Sequence, residues 1–212
     1  MNTDNHMTDA EYHAHSAMNY SRLKYLRESP LHFRNACDNP KPASSSMSWG
    51  SLVHSLVFEP FMFDQRYVVT EETDKRRKAY KEAKADAEAS GRELVTAAEL
   101  DKANRAANNV TSHPFVADLL EDERTLVESM HFWEQPGFGE CRMKCDMARL
   151  RDDGLLGVDL KTTRSTHPLS FRRDARMFGY DIQAAHYLYG LADRFNVDLG
   201  NVFIDWRIIA VE

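Results

Sequence analysis

Hydrophobic and polar positions alternate most cleanly between residues 126 and 162, and that stretch predicts three strands. Residues 126–133 (LVESMHFW) and 140–150 (ECRMKCDMARL) both carry a period of two, and Pro136-Gly137 between them is a turn signal. In the second strand Cys141, Met143, Cys145 and Met147 are expected on one face, with Arg142, Lys144, Asp146 and Ala148 on the other. After Arg151-Asp152-Asp153-Gly154 a third strand puts Leu156, Val158 and Leu160 on one side and Asp159 and Lys161 on the other. Links this short predict an antiparallel meander.

Elsewhere the helical period dominates. Leu52, Val53, Leu56 and Val57 form a helical stripe behind Trp49-Gly50, and Leu23 and Leu26 mark a short helix that ends near Pro30. A second short helical piece is expected over 31–36, then a loop over 39–46. A short strand is expected at 67–69. Thr96-Ala97-Ala98-Glu99 has the form of a capping box opening a helix over 97–110, with His113-Pro114 closing it. The amphipathic run 177–195 predicts one helix, and 202–211 a final strong strand. A helix between two strands permits a parallel crossover, so the expected fold is α/β (α+β): a central mixed β-sheet flanked by helices, with a helical N-terminal region. One domain over 1–212 is expected, with a mobile start (1–18), a mainly helical part (19–125) and the sheet core (126–212).

Composition narrows the setting. With 212 residues, 42% hydrophobic and 28% charged, the chain is long enough for a sizeable core. It has no long uncharged apolar run and no signal-like start, so no membrane is expected. Three cysteines give no disulfide framework, which fits a reducing cytoplasm, and the Cys141/Cys145 pair reads as core thiols rather than metal ligands. The formal charge of −6 argues against a nonspecific nucleic-acid coat protein but leaves room for local positive potential. Arg164, Arg172, Arg173 and Arg176 gather just after the third strand and form the clearest basic patch. The charge-dense run 71–89 reads as solvated helix surface, or as a basic track along a phosphate backbone.

An acid and a lysine two apart on an apolar strand have two explanations. Asp159 and Lys161 are a salt pair at a sheet edge, or they are half of a metal-dependent phosphodiesterase site. Asp146 on the neighbouring strand would converge with Asp159 on one hard cation, and Glu128 on the strand beyond would add a carboxylate through water. His54, taken alone, is either an ordinary partly buried histidine or, at a helix start near a carboxylate cluster, a metal ligand or a phosphate contact. Gln183 and Tyr187, four apart, share a helix face and are otherwise plain surface and core groups.

The ordered set Gly50-x3-His54, Glu128, Asp146, Asp159-Leu160-Lys161-Thr162-Thr163 and Gly179-Tyr180-Asp181-x-Gln183-x3-Tyr187 resembles the PD-(D/E)xK nuclease superfamily. Within it, the pattern is similar to the nuclease domain of phage and prophage exonuclease VIII (RecE-like) proteins, relatives of the RecB nuclease domain and Cas4-like proteins. The likeness spans residues 19–212. It implies a restriction-endonuclease-like core, with His54, Asp146 and Asp159 as metal ligands and Lys161 as the catalytic lysine. Gln183 and Tyr187 fall on the family's QxxxY motif. Four cluster-binding cysteines of the Cas4-like branch have no counterpart. The resemblance further implies Mg2+ (with Mn2+ able to substitute) and hydrolysis of linear double-stranded DNA from 5′ ends, leaving 3′ tails. It also implies a single-strand annealing partner, a ring-shaped homo-oligomer and a bacterial or phage-infected cytoplasm. A further strand or helix beyond Glu212 is expected, and with it a C-terminal truncation. The rival expectations are an endonuclease on the same scaffold and a catalytically inactive DNA-binding or assembly module.

Overall fold

The computed structural model describes residues 7–39 and 45–212. In chain order it runs α1 (Asp9–Ala14), α2 (Tyr20–Leu23), a 3-10 turn (Lys24–Arg27), α3 (Pro30–Asp38) and α4 (Ser45–Phe58). A second 3-10 turn (Pro60–Met62) leads to α5 (Phe63–Arg66), β1 (Tyr67–Thr70), α6 (Lys78–Ala89), β2 (Glu93–Thr96), α7 (Ala97–Thr111) and α8 (Pro114–Glu121). The meander β3 (Leu126–Gln135), β4 (Gly139–Arg151) and β5 (Gly154–Thr162) follows, then α9 (Pro168–Phe178), α10 (Tyr180–Phe195) and β6 (Phe203–Val211). These form two compact units, Met1–Pro42 with Leu119–Ala210, and Ala43–Asp118 with Val211–Glu212. No helix among the described residues is long and apolar enough to cross a membrane.

The first unit holds the four-stranded sheet, in the order β3-β4-β5-β6. β3 to β5 pair antiparallel, as the short turns require. β6 lies beside β5 in the same direction: the backbone at Gly154 abuts Phe203, and that at Gly157 abuts Trp206. The sheet is therefore mixed, with α9 and α10 as the crossover. Two glycines make room for this packing. A Cβ at Gly157 would stand 2.4 Å from the Trp206 ring, and one at Gly190 would stand 2.7 Å from Trp133 and 2.8 Å from the Met143 sulfur. Trp133, Cys141, Met143, Cys145, Ala148, Leu155 and Leu191 form the core between the sheet and α10. Both cysteines are buried and unbridged, and burial raises both thiol pKa values.

The strict alternation expected along β4 does not hold. Core positions run Cys141, Met143, Cys145 and then Ala148, a three-residue step that leaves Asp146 and Met147 out of the cluster. The single helix expected over 177–195 is two helices. Gly179 at φ 71° ends α9 and starts α10, a left-handed conformation that glycine adopts without steric cost. Where a mobile start is expected, Thr8 and Glu11 close a capping box on α1. Met18 continues the chain onto β4, its N–H donating to the Glu140 carbonyl at 2.8 Å while the Arg142 N–H donates to the Met18 carbonyl at 2.8 Å.

In the second unit, the capping box read from Thr96-Ala97-Ala98-Glu99 is present and opens α7. Ala103, Ala106, Ala107 and Val110 on α7 are buried, small residues that let α4 pack closely with Leu52, Val53 and Val57. β1 and β2 pair in parallel through the crossover helix α6. The strand at 93–96 and the helix that Pro114 opens were not foreseen, because each is too short to show a period. Within the run 71–89, only Lys78–Ala89 is helical, with exposed i,i+4 ion pairs Lys78–Glu82 and Lys84–Glu88. Of the loop expected at 39–46, residues 40–44 lie outside the described residues.

Candidate metal-dependent active site

The β4–β5 register runs from Arg151 opposite Gly154 to Met147 opposite Val158. Two residues past that pair, the Leu160 N–H donates to Asp146 Oδ2 at 2.6 Å. This ties the Asp146 carboxylate to the end of β5 that carries Asp159 and Lys161. On β5 the odd positions face α10: Leu155 enters the core, Gly157 lies under Leu191 and Trp206, and Asp159 meets Gln183.

Asp159 is only 2% exposed, so its carboxylate depends on the groups around it. Lys161 Nζ lies 2.7 Å from its Oδ1 and 2.6 Å from its Oδ2, and Gln183 Nε2 donates to Oδ1 at 2.8 Å. Two charge-assisted contacts and one amide donor hold the carboxylate in a fixed plane. Lys161 stands 5.1 Å from the centre of the Tyr180 ring, where a cation is attracted to the aromatic face. Burial pulls the Lys161 pKa down, but the charges of Asp159 and Asp146 outweigh it and the net shift is upward. The neighbouring carboxylates thus favour the charged form of Lys161.

Glu128 lies between the pairs Val127–Met147 and Ser129–Cys145, opposite Asp146, and its backbone takes φ 49°. A left-handed glutamate inside a strand is a strained conformation, costing on the order of 1–3 kcal/mol, of the sort that collects at functional sites. Its carboxylate comes within 4.8 Å of that of Asp146. Lys144 Nζ holds Glu128 Oε2 at 2.8 Å and Asp9 Oδ1 at 2.8 Å. Burial opposes the charge on Lys144, yet Glu128 and Asp9 raise its pKa further than burial lowers it.

Asp146, Asp159, Lys161, Glu128 and Gln183 gather at one end of the sheet in the first unit. Tyr187 lies one turn beyond Gln183 and packs edge-on against Trp206 at 6.1 Å, where burial holds its hydroxyl protonated well above the usual range. His54 is half-buried on α4 in the second unit, its ring edge-on to Phe58 at 5.5 Å. Arg164 precedes α9, and Arg172, Arg173 and Arg176 lie on it, all exposed. Of these, Arg173 pairs with Asp174 at 3.4 Å, an exposed contact of little energetic weight. Lys144 and Tyr180 were missed as site residues. The signal for Lys144 was its position two residues before Asp146, and for Tyr180 its place inside the quoted helix motif.

The donor set suits a hard divalent cation. Asp146 and Glu128 offer carboxylate oxygens within 4.8 Å of each other, while the Asp159 carboxylate, held by Lys161 and Gln183, stands outside that group. A search of curated proteins finds no match to this chain. A family profile does match, over residues 19–212, and carries the description "PDDEXK-like domain of unknown function (DUF3799)". That span is nearly the whole chain, and it contains the sheet with Asp146, Asp159 and Lys161. The chain belongs to this PDDEXK-like family and carries its restriction-endonuclease-like fold.

Proposed function

We propose that this protein is a Mg2+-dependent exodeoxyribonuclease that hydrolyses linear double-stranded DNA, 5′ to 3′, leaving 3′ single strands for an annealing partner. The observation that carries the hydrolytic part is the buried Asp159 carboxylate, clamped by Lys161 two residues on and by Gln183 on α10, with Asp146 tied to the intervening backbone. Membership of a PDDEXK-like family supports the same chemistry. Polarity, the annealing partner, the ring-shaped homo-oligomer and the closeness to exonuclease VIII rest on the motif resemblance alone.

In this reading Asp146 and Asp159 hold the cation, Glu128 adds a carboxylate, and the motif resemblance adds His54 as a further ligand. When bound, such a cation polarises the scissile phosphate and makes a water acidic enough to attack it. Lys161 places its ammonium beside the phosphate and offsets the charge that builds in the transition state. Gln183 keeps the Asp159 carboxylate in one orientation, so none of that alignment has to be bought at the moment of reaction. Arg164, Arg172, Arg173 and Arg176 contact the phosphate backbone and draw DNA to a chain whose formal charge is −6.

The test uses one plasmid in two forms. With Mg2+, an end-labelled linear duplex is expected to lose its label progressively while the covalently closed circle survives. Equal cutting of the circle makes the protein an endonuclease on the same scaffold. Binding of both forms without cleavage in Mg2+ or Mn2+ removes the enzymatic reading altogether.

A further inference from the structure

Lys144 bridges two carboxylates, Glu128 at 2.8 Å and Asp9 at 2.8 Å, in an arrangement that the proposed hydrolysis does not itself require. Glu128 is a long side chain on a strained backbone, and it faces the like charge of Asp146 within 4.8 Å. Left alone, like charges at that range push the glutamate away and its rotamers multiply. Lys144 stands on β4 two residues before Asp146 and pins Glu128 in place.

A bare lysine beside the site would also repel an incoming cation. Asp9 answers that charge. With Asp9 offsetting Lys144, Glu128 and Asp146 are left with two negative charges for a divalent ion. Asp9 is itself anchored, because its helix α1 has a reciprocal capping box. Tyr12 on the same helix lies 4.6 Å beneath the buried Arg142 guanidinium and 6.0 Å edge-on from Phe132. The mount for Lys144 is therefore built from the N-terminal helix against β3 and β4.

Building on the nuclease reading, we propose that Lys144, held by Asp9, is a positioning residue that aims Glu128 at the metal beside Asp146. The N-terminal helix then sets the affinity of the site for its cation.

Mn2+ titration of the full chain without DNA, by calorimetry or by the free-ion paramagnetic signal, separates positioning from bulk charge. Lys144→Met makes the site more negative, so charge alone predicts tighter Mn2+ binding. Positioning predicts binding weaker by about tenfold, the usual loss when an outer partner of a metal ligand is removed. Lys144→Arg, which can span the same two carboxylates, is expected to keep most of the affinity, and Asp9→Asn to lose part of it. Unchanged or tighter binding by Lys144→Met, with its circular dichroism spectrum intact, overturns the proposal. Should Lys144→Met fail to fold, unchanged binding by Asp9→Asn overturns it instead. A wild-type chain that binds no Mn2+, or an Asp146→Asn variant that binds as well as wild type, overturns the metal site and the nuclease reading, and this inference with them.

Discussion

The Gln183 amide donates to the Asp159 carboxylate at 2.8 Å, joining the second turn of α10 to the strand that carries the acid and the lysine. Both groups are buried, so neither has water to fall back on. Replacing Gln183 with Leu removes the donor and leaves Asp159 to Lys161 alone. Turnover is expected to fall by about tenfold or more with DNA affinity little changed, the pattern for a lost orienting partner. Urea unfolding should show a loss of about 1.5–3 kcal/mol, the usual worth of a hydrogen bond to a charged group.

Lys161 and the exposed arginines separate chemistry from binding. Lys161→Ala is expected to lower kcat by about 10²–10³-fold, as removal of one charge-stabilising donor does. Arg172→Ala and Arg173→Ala should leave kcat near its wild-type value at saturating DNA. Each should weaken DNA binding and reduce the slope of log affinity against log salt by about one, the signature of one lost phosphate contact. A DNA-binding titration at several salt concentrations reads that slope.

Gly157 exists for Trp206. A Cβ at Gly157 would meet the Trp206 ring at 2.4 Å, so the two cannot coexist without a shift of β5 or β6. Gly157→Ala is expected to destabilise the fold by about 1–3 kcal/mol, the range for forced overpacking of a core. The double variant Gly157→Ala with Trp206→Leu should recover part of that loss in a thermal melt. No recovery would show that the strain lies elsewhere.

The reach of sequence reading follows from the range of the interactions. The β3–β5 meander was legible because period two and short turns are local signals, and so was the Thr96 capping box. The β5 alternation also placed Asp159 and Lys161 correctly on one face. The step between Cys145 and Ala148 was not legible, since the period-two pattern of β4 runs on through Asp146 and Met147 while the backbone changes face. The break at Gly179 was hidden because one amphipathic pattern runs through both helices. The bridge from Lys144 to Asp9 spans 135 residues, and no local pattern encodes a partner at that distance.

Alkaline pH tests the packing of α1 against the sheet. Burial pushes the Tyr12 phenol up to about 12, against an ordinary value of 10.0. Its folded pKa lies above its unfolded one, so its contribution is complete below pH 10 and is lost as pH rises towards 12. Stability measured by urea titration is expected to fall across that window for the wild type. In Tyr12→Phe the fall should be shallower, because the phenylalanine has no proton to lose. An identical fall in both would remove Tyr12 from the account.

The most direct test of the central claim is nucleotide release from a linear duplex by wild type and Asp159→Asn, each with Mg2+ and again with excess EDTA. The account predicts release by wild type in Mg2+ alone, and none by Asp159→Asn although its melting curve shows a folded protein. Release by Asp159→Asn at the wild-type rate, or by wild type in EDTA, would contradict it.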